Sequence, residues 1–175
     1  RYPEDRIFAE EDGLRSPISE GAVWVIDPID GTNNFVTQKE DFAVMVAYFE
    51  DGIGQFGLIY DVMRDHLFYG GGEFPVYRNE VELTPFVDQP LENFLIASNV
   101  GMLEKNDWGM ADLGMDSLGI RVYGSAGISF AKILSGGILA YFSYIWPWDY
   151  AAAAIMGERL GYIVLNLNGD KPNYQ

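Results

Sequence analysis

The sequence predicts an α+β protein built in layers. Three observations carry that expectation. Apolar runs at 42–49, 55–62 and 66–69 follow one another with only turn-formers between them, at Glu50-Asp51-Gly52 and Arg64-Asp65. After residue 92 apolar runs short enough for strands alternate with segments that can form helices. Between the two patterns lies a polar stretch, 79–92, with Pro85 and Pro90. Short runs joined by tight turns argue for an antiparallel meander, whereas alternation argues for strand and helix units.

Taken in order, Ile7-Phe8-Ala9 reads as a short strand running into the acidic Glu10-Glu11-Asp12, and 13–21 as a loop rich in Gly, Ser and Pro. Residues 22–26 form an apolar strand. The meander follows, ended by Gly70-Gly71-Gly72, with Val76-Tyr77 adding one more strand. The stretch 79–92 divides the chain into a sub-domain at 1–90, holding the acidic loop and the antiparallel sheet, and an α/β sub-domain at 91–175, the two acting as one functional unit. In the second, 94–97 is a strand, 102–115 a helix interrupted by glycines, and 120–123 a strand. Gly124-Ser125-Ala126-Gly127 leads into a helix through Leu134, which Gly136-Gly137 ends. A strand at 138–142 precedes the strongest helix signal, 148–160, with Pro147 before it, Asp149 in its first turn, four alanines at 151–154 and Gly161 beyond. Residues 162–167 read as a last strand.

Composition limits the function classes. With 175 residues, 49% of them hydrophobic, the chain can bury one sizeable core. It has no cysteine, which removes disulfides and thiolate metal sites and is compatible with the cytoplasmic location expected here. No apolar run approaches the roughly 18 residues that a membrane span needs, and no secretory signal opens the sequence. The first residue is Arg1 rather than Met, so an upstream segment is expected. The formal net charge of −15 argues against nucleic acid and anionic membranes as partners. A phosphorylated substrate would be repelled too, unless cations stood between; carboxylates that hold Mg²⁺ reverse the local sign of charge.

The stretch Trp24-Val25-Ile26-Asp27-Pro28-Ile29-Asp30-Gly31-Thr32 concentrates the chemistry. Two carboxylates sit three positions apart at the end of an apolar strand. Pro28 stiffens the turn, and Gly31 lets the backbone approach a ligand. Hard divalent cations want such oxygen ligands. Each residue also has a plainer use: the aspartates as turn caps, Glu10 and Glu11 as solvated loop charges, Asp149 as a helix-start residue favoured by the dipole, and Gly124-Ser125-Ala126 as a helix start. That last segment could alternatively meet a phosphate or hydroxyl through free backbone N–H groups. The single histidine, His66, falls in a hairpin and is read as structural; with no cysteine either, a covalent cysteine or histidine phosphatase is disfavoured.

The nine residues at 24–32, continued by Asn33-Asn34-Phe35-Val36, resemble the first signature of the inositol monophosphatase family. Pro147-Trp148-Asp149-Tyr150-Ala151-Ala152 resembles its second signature, Phe8-Ala9-Glu10-Glu11 its upstream acidic loop, and Gly124-Ser125-Ala126 its short segment before a helix. The resemblance covers almost the whole chain in the right order. It is specific for this Mg²⁺-dependent superfamily and much less so for the substrate, since sugar-bisphosphatases and nucleotide phosphatases carry similar strings.

The resemblance implies a layered α-β-α-β-α sandwich, here without the N-terminal helices and the extreme C-terminus, and hydrolysis of a small phosphate monoester, inositol monophosphate or a similar polyol phosphate, assisted by two or three Mg²⁺ ions. Glu10, Asp27 and the Ile29 carbonyl would hold the first ion; Asp27, Asp30 and Asp149 the second; Glu10 would reach a third through waters. Thr32 would position the attacking water, and the amides of Gly31 and Thr32 would meet phosphate oxygens. Asp30, Asp149 and Gly124, Ser125 and Ala126 would line the alcohol side. The family habit implies a homodimer. Bottom-up chemistry agrees, because two ions about 4 Å apart can both activate water and neutralise charge on an inert ester. The sequence departs from the family in lacking the upstream helices with the aspartate that supports the threonine. It also has Phe142, with Tyr141, Ser143 and Tyr144 beside it, where many inositol-specific members have a glutamate. A nucleotide phosphatase, with Tyr144, Trp146, Trp148 or Tyr150 stacking on a base, and a non-catalytic metal-binding relative are the alternatives.

Overall fold

The computed structural model describes residues 3–11 and 17–174. The loop expected at 13–21 therefore lies partly outside the described residues. A parallel first pair and sequential hairpins after it build a seven-stranded sheet in the order β1-β2-β3-β4-β5-β6-β7. These strands are β1 (Arg6–Ala9), β2 (Ala22–Asp30), β3 (Ala43–Glu50), β4 (Ile53–Asp61), β5 (His66–Gly71), β6 (Phe74–Arg78) and β7 (Val81–Glu82). All neighbours from β2 onward are antiparallel, whereas β1 joins β2 in parallel, pairing Phe8 with Val25. His66 opens β5 and pairs with Asp61, a structural place in the ladder.

Alternation explains why this sheet has one inward face. Along β3, Ala43, Met45, Ala47 and Phe49 are buried while the residues between them are half-buried. Period two puts one set of side chains against the core and the other on the opposite face. That opposite face carries Trp24, Tyr48 and Phe56 in mutual ring contact, with the Trp24 indole N–H donating to Asp5 at 2.7 Å.

Two helices cover the inward face: α4 (Ala126–Leu134) and α5 (Pro147–Arg159). The alanines at 151–154 are all buried, as are Ile155 and Met156. Small side chains let α5 lie close to the strands, and Gly57 makes the closest approach possible: a Cβ there would stand 2.2 Å from the Ala152 carbonyl oxygen. The core is continuous from Phe8, Val25 and Phe68 on the sheet to Ile128 and Leu134 on α4 and Met156 on α5.

Beyond the helices lies a three-stranded parallel sheet, order β10-β8-β9, made of β8 (Leu95–Ser98), β9 (Gly119–Arg121) and β10 (Ala140–Phe142). Ile96 packs there with Met102 of α2 (Val100–Glu104) and Met110 of α3 (Met110–Asp116). The described residues thus stack as sheet, helix pair, small sheet and outer helices, an α+β layered fold.

The structure corrects three expectations. The helix at 102–115 is two short helices separated by a 3₁₀ turn at Asp107–Gly109, because Asn106, Trp108 and Gly109 adopt φ of 49°, 56° and 70°. No strand forms at 162–167: the Tyr162 amide donates to the Gly157 carbonyl at 2.9 Å and its phenol to the Ile133 carbonyl at 3.0 Å, which ties the segment to the helices instead of to a sheet edge. Finally, the turn after Asp30 opens a short helix, α1 (Thr32–Thr37), which the sequence reading did not contain.

Candidate active site

Two carboxylates three positions apart on a regular strand would face opposite sides of the sheet. Here both are buried. Asp27 pairs with Met45 and Asp30 with Ala43, so three steps on β2 match two on β3. This bulge at Pro28-Ile29 re-aims the strand and turns both aspartates inward. Gly31 then takes φ 82°, where its missing Cβ also matters, since one would stand 2.9 Å from the Ser125 Cβ.

Asp30 meets the start of α4. The Ala126 and Gly127 amides donate to its two oxygens at 3.0 and 2.8 Å, and the Ser125 hydroxyl donates to it as well. Ser125 also caps the helix, accepting from the Ile128 amide at 3.1 Å. The free Ala126 amide expected for a ligand is therefore occupied by Asp30. A helix N-terminus carries partial positive charge, so a buried anion there is complemented. Asp149, in the first turn of α5, accepts from the Trp146 amide at 2.7 Å. Asp27 accepts from the Ile29 amide at 3.0 Å, and the Thr32 hydroxyl donates to the Ile29 carbonyl at 3.1 Å.

The three aspartates converge: Asp27, Asp30 and Asp149 each offer an oxygen within 4.8 Å of the others. Glu10, at the end of β1, is exposed and stands outside this trio, yet its charge is felt by Asp27 and Asp149. Such crowding is unfavourable without a cation. Burial, then the charges of Asp30, Glu10 and Asp149, push the Asp27 carboxyl up to about 8. Burial first, then Asp30 and Glu10, raises Asp149 to about 7, against the opposing effect of its Trp146 hydrogen bond. Burial also raises Asp30, which its Ser125, Gly127 and Ala126 donors partly counter. Glu10 is raised by burial, Glu11 and Asp30. Among the described residues the ion pairs are Arg64 with Asp41 and Asp61, and Lys171 with Glu158, so none neutralises the trio.

Two neighbours were not singled out in the sequence as site residues. Gly127 holds Asp30 through its amide, for which the Gly-Ser-Ala-Gly string before a helix is the available signal. Tyr141, on β10, is raised to about 12, chiefly by burial and also by the charges of Asp30 and Asp149, although hydrogen bonds with Ser143 and Ser129 oppose the shift. The sequence marks Tyr141 only as a neighbour of Phe142, where the family often has a glutamate; the packing of β10 against α4 brings it near.

Acidic side chains with hard oxygen donors gather where a strand end meets two helix N-termini in a layered α+β protein, a donor set of the kind divalent cations take. The chain belongs to the inositol monophosphatase family, whose model matches residues 1–175. It is 37% identical to inositol-1-monophosphatase of Bacillus subtilis (strain 168) over 175 residues, covering 97% of this chain and 66% of that protein. It superposes on inositol monophosphatase II of Staphylococcus aureus with inositol monophosphate bound, with TM-score 0.91 and 34% identity over 98% of this chain and 68% of that one. It also superposes on an IMPase/NADP phosphatase complexed with Mg²⁺ and phosphate, with TM-score 0.89 and 28% identity over 99% of this chain and 66% of that one. The chain spans about two thirds of the length of these relatives.

Proposed function

We propose that this protein hydrolyses a small phosphate monoester with Mg²⁺ as cofactor, inositol monophosphate or a similar polyol phosphate being the first substrate class. The observation that carries the proposal is the meeting of buried Asp27 and Asp30 with half-buried Asp149 within 4.8 Å in a chain of this family. The donor set fits the ion: all three side chains are hard oxygen ligands, and their raised proton affinities mark a place where positive charge is wanted. On this reading Glu10, Asp27 and the Ile29 carbonyl hold one ion and Asp27, Asp30 and Asp149 a second, with Glu10 serving a third through waters. Bound there, Mg²⁺ supplies a water of lowered pKa and offsets charge on the phosphoryl oxygens.

The chain's own groups do the rest. The α4 N-terminus holds Asp30 in one orientation, and the Ile29 amide does the same for Asp27. Because the Thr32 hydroxyl donates its hydrogen bond to the Ile29 carbonyl, its oxygen is left to accept from a water and aim it at phosphorus. The attacking water loses a proton to solvent as its oxygen bonds to phosphorus, the ester P–O bond breaks, and the departing alkoxide takes a proton from solvent, leaving alcohol and inorganic phosphate. The amides of Gly31 and Thr32 meet phosphate oxygens, while Gly124, Ser125 and Asp149 line the alcohol side.

The test is phosphate release from a panel of monoesters with Mg²⁺ and with chelator. Release that needs Mg²⁺ and favours some esters is expected. Equal, poor turnover of all of them, unchanged by chelator, overturns the proposal in favour of a binding relative. A nucleotide substrate is the second reading, favoured by the exposed Trp146, whose amide donates to Asp149.

A further inference from the structure

Helix α1 carries Thr32, the residue proposed to aim the attacking water, yet it has no apolar anchor. Of its six residues only Asn34 is buried, and no side chain caps its start. Asn34 is 7% exposed, whereas Phe35 and Val36 stay 40% and 67% exposed. Phe35 gains only an edge contact with Phe42, with ring centroids 5.0 Å apart. A buried amide is costly unless its hydrogen bonds are made. Here both halves of the group are used. The Asn34 Nδ2 donates to the Asp41 carbonyl at 2.9 Å and to the Tyr123 carbonyl at 2.7 Å, and the Oδ1 accepts from the Gln38 side-chain amide at 3.2 Å.

These partners belong to the segments that enclose the carboxylates. In the loop before β3, Lys39 and Asp41 take φ of 60° and 51°, conformations that residues other than glycine adopt at a cost. Strain of this kind persists only where the surroundings over-determine the backbone. Asp41 is held twice, at its carbonyl by Asn34 and at its carboxylate by Arg64 at 2.8 Å. Its carbonyl bears on the Gly31 turn, since a Cβ on Gly31 would stand 3.2 Å from it. Tyr123 precedes Gly124, which takes φ 69°, and a Cβ there would stand 3.1 Å from the Asn34 Oδ1. One amide thus joins the turn on the phosphate side to the turn on the alcohol side, across 89 positions of sequence. An apolar contact would leave play between them; directional hydrogen bonds leave little.

We propose that Asn34 is a positioning residue for hydrolysis: it locks the helix that carries Thr32 onto the turn at Tyr123-Gly124, and so sets the line along which the water held by Thr32 meets phosphorus. The inference rests on the phosphatase reading of the carboxylate site. None of these Asn34 side-chain hydrogen bonds reaches the trio, so losing them acts on the chemical step and leaves Mg²⁺ binding in place.

The test is a double-mutant cycle on the Mg²⁺-loaded protein, with the best ester of the panel as substrate. Asn34→Ala should lower kcat about 100-fold, the scale of misplacing a reacting group by roughly 1 Å, with a smaller change in KM and the same half-saturating Mg²⁺ concentration. In a Thr32→Ala background the same substitution should cost far less, because the effects of residues that act as a unit do not add. No loss of kcat, a loss as large in that background as in the wild type, or a loss that tracks weakened Mg²⁺ binding overturns the positioning role. Should Asn34→Ala fail to fold, Asn34→Ser, which keeps one donor, is held to the same cycle. If the wild-type protein releases phosphate from no ester, it is the phosphatase reading that fails. Hydrogen exchange of the metal-free protein then decides the lock by itself. Faster amide exchange at both 31–39 and 123–127 in the variant, with 66–78 unchanged, supports it, and unchanged exchange at either segment overturns it.

Discussion

The large sheet and the helix pair packed on it contribute to the carboxylate site in opposite ways. The seven-stranded sheet delivers Asp27 and Asp30 from the backbone of one strand, with a bulge to turn both inward. The helix pair that covers it contributes through helix starts: the amides at the beginning of α4 that hold Asp30, and Asp149 in the first turn of α5. One region brings negative charge and the other complements it while adding a third carboxylate. A site divided this way forms only when both regions are packed together. Activity and stability should therefore respond differently to changes on each side.

The largest effect is expected on the strand side. Asp27→Asn should lower Mg²⁺-dependent phosphate release by about 10³-fold or more, the scale of losing several kcal/mol of metal-derived stabilisation. The metal-free variant should remain folded and melt no lower than wild type, since Asp27 holds its proton up to about 8 and a neutral amide suits that place. Undiminished activity would remove Asp27 from the site.

Next comes the joint between the regions. Gly57→Ala should cost about 3 kcal/mol or more, because the new methyl has only 2.2 Å to a backbone oxygen of α5 that cannot step aside alone. Urea unfolding measures it, and a loss under 1 kcal/mol would mean that the helix seats less tightly on β4 than described. On the helix side, Ser125→Ala removes both a donor to Asp30 and the cap of α4, for a loss of about 1–3 kcal/mol. Its activity should fall along with Mg²⁺ affinity; a variant with unchanged affinity would show that Asp30 needs no help from the second region.

The smallest effect is a dependence on pH. Asp27 and Asp149 ordinarily titrate near 3.8 and here lie near 8 and 7. Between those values the folded protein binds more protons than the unfolded chain, so the stability they contribute is fully present below about pH 4 and fades as pH climbs toward 8. The melting temperature of the metal-free protein should fall over that range. Mg²⁺ competes with those protons, so its stabilisation should be greater at pH 8 than at pH 5. Thermal melts with and without Mg²⁺ check both, and a metal-free protein that gains stability between pH 5 and pH 8 would contradict the crowding of the trio.

Local pattern made most of the large sheet legible. Strands 43–50 and 53–61 follow from apolar runs and turn residues, and the helix 147–159 follows from Pro147 and the alanines, because these signals act over a few residues. The glycine-rich string before α4 also pointed to a helix start. Where the pattern was weakest, between 99 and 121 and after 161, local residues fit several backbones and long-range contacts chose among them. Asn106 and Trp108 broke one expected helix into two, and hydrogen bonds of Tyr162 to Gly157 and Ile133 replaced an expected strand.

By itself the sequence determined the α+β class, the succession of strands in the large sheet and which aspartates were worth watching, since each depends on neighbours along the chain. Tertiary structure alone decided that Asp27 and Asp30 share a face, that the Ala126 amide belongs to Asp30, and that Asp149 comes within 4.8 Å of both. The physical reason is that a strand bulge and the seating of two helices on a sheet are set by packing between segments a hundred residues apart, and no local propensity encodes them.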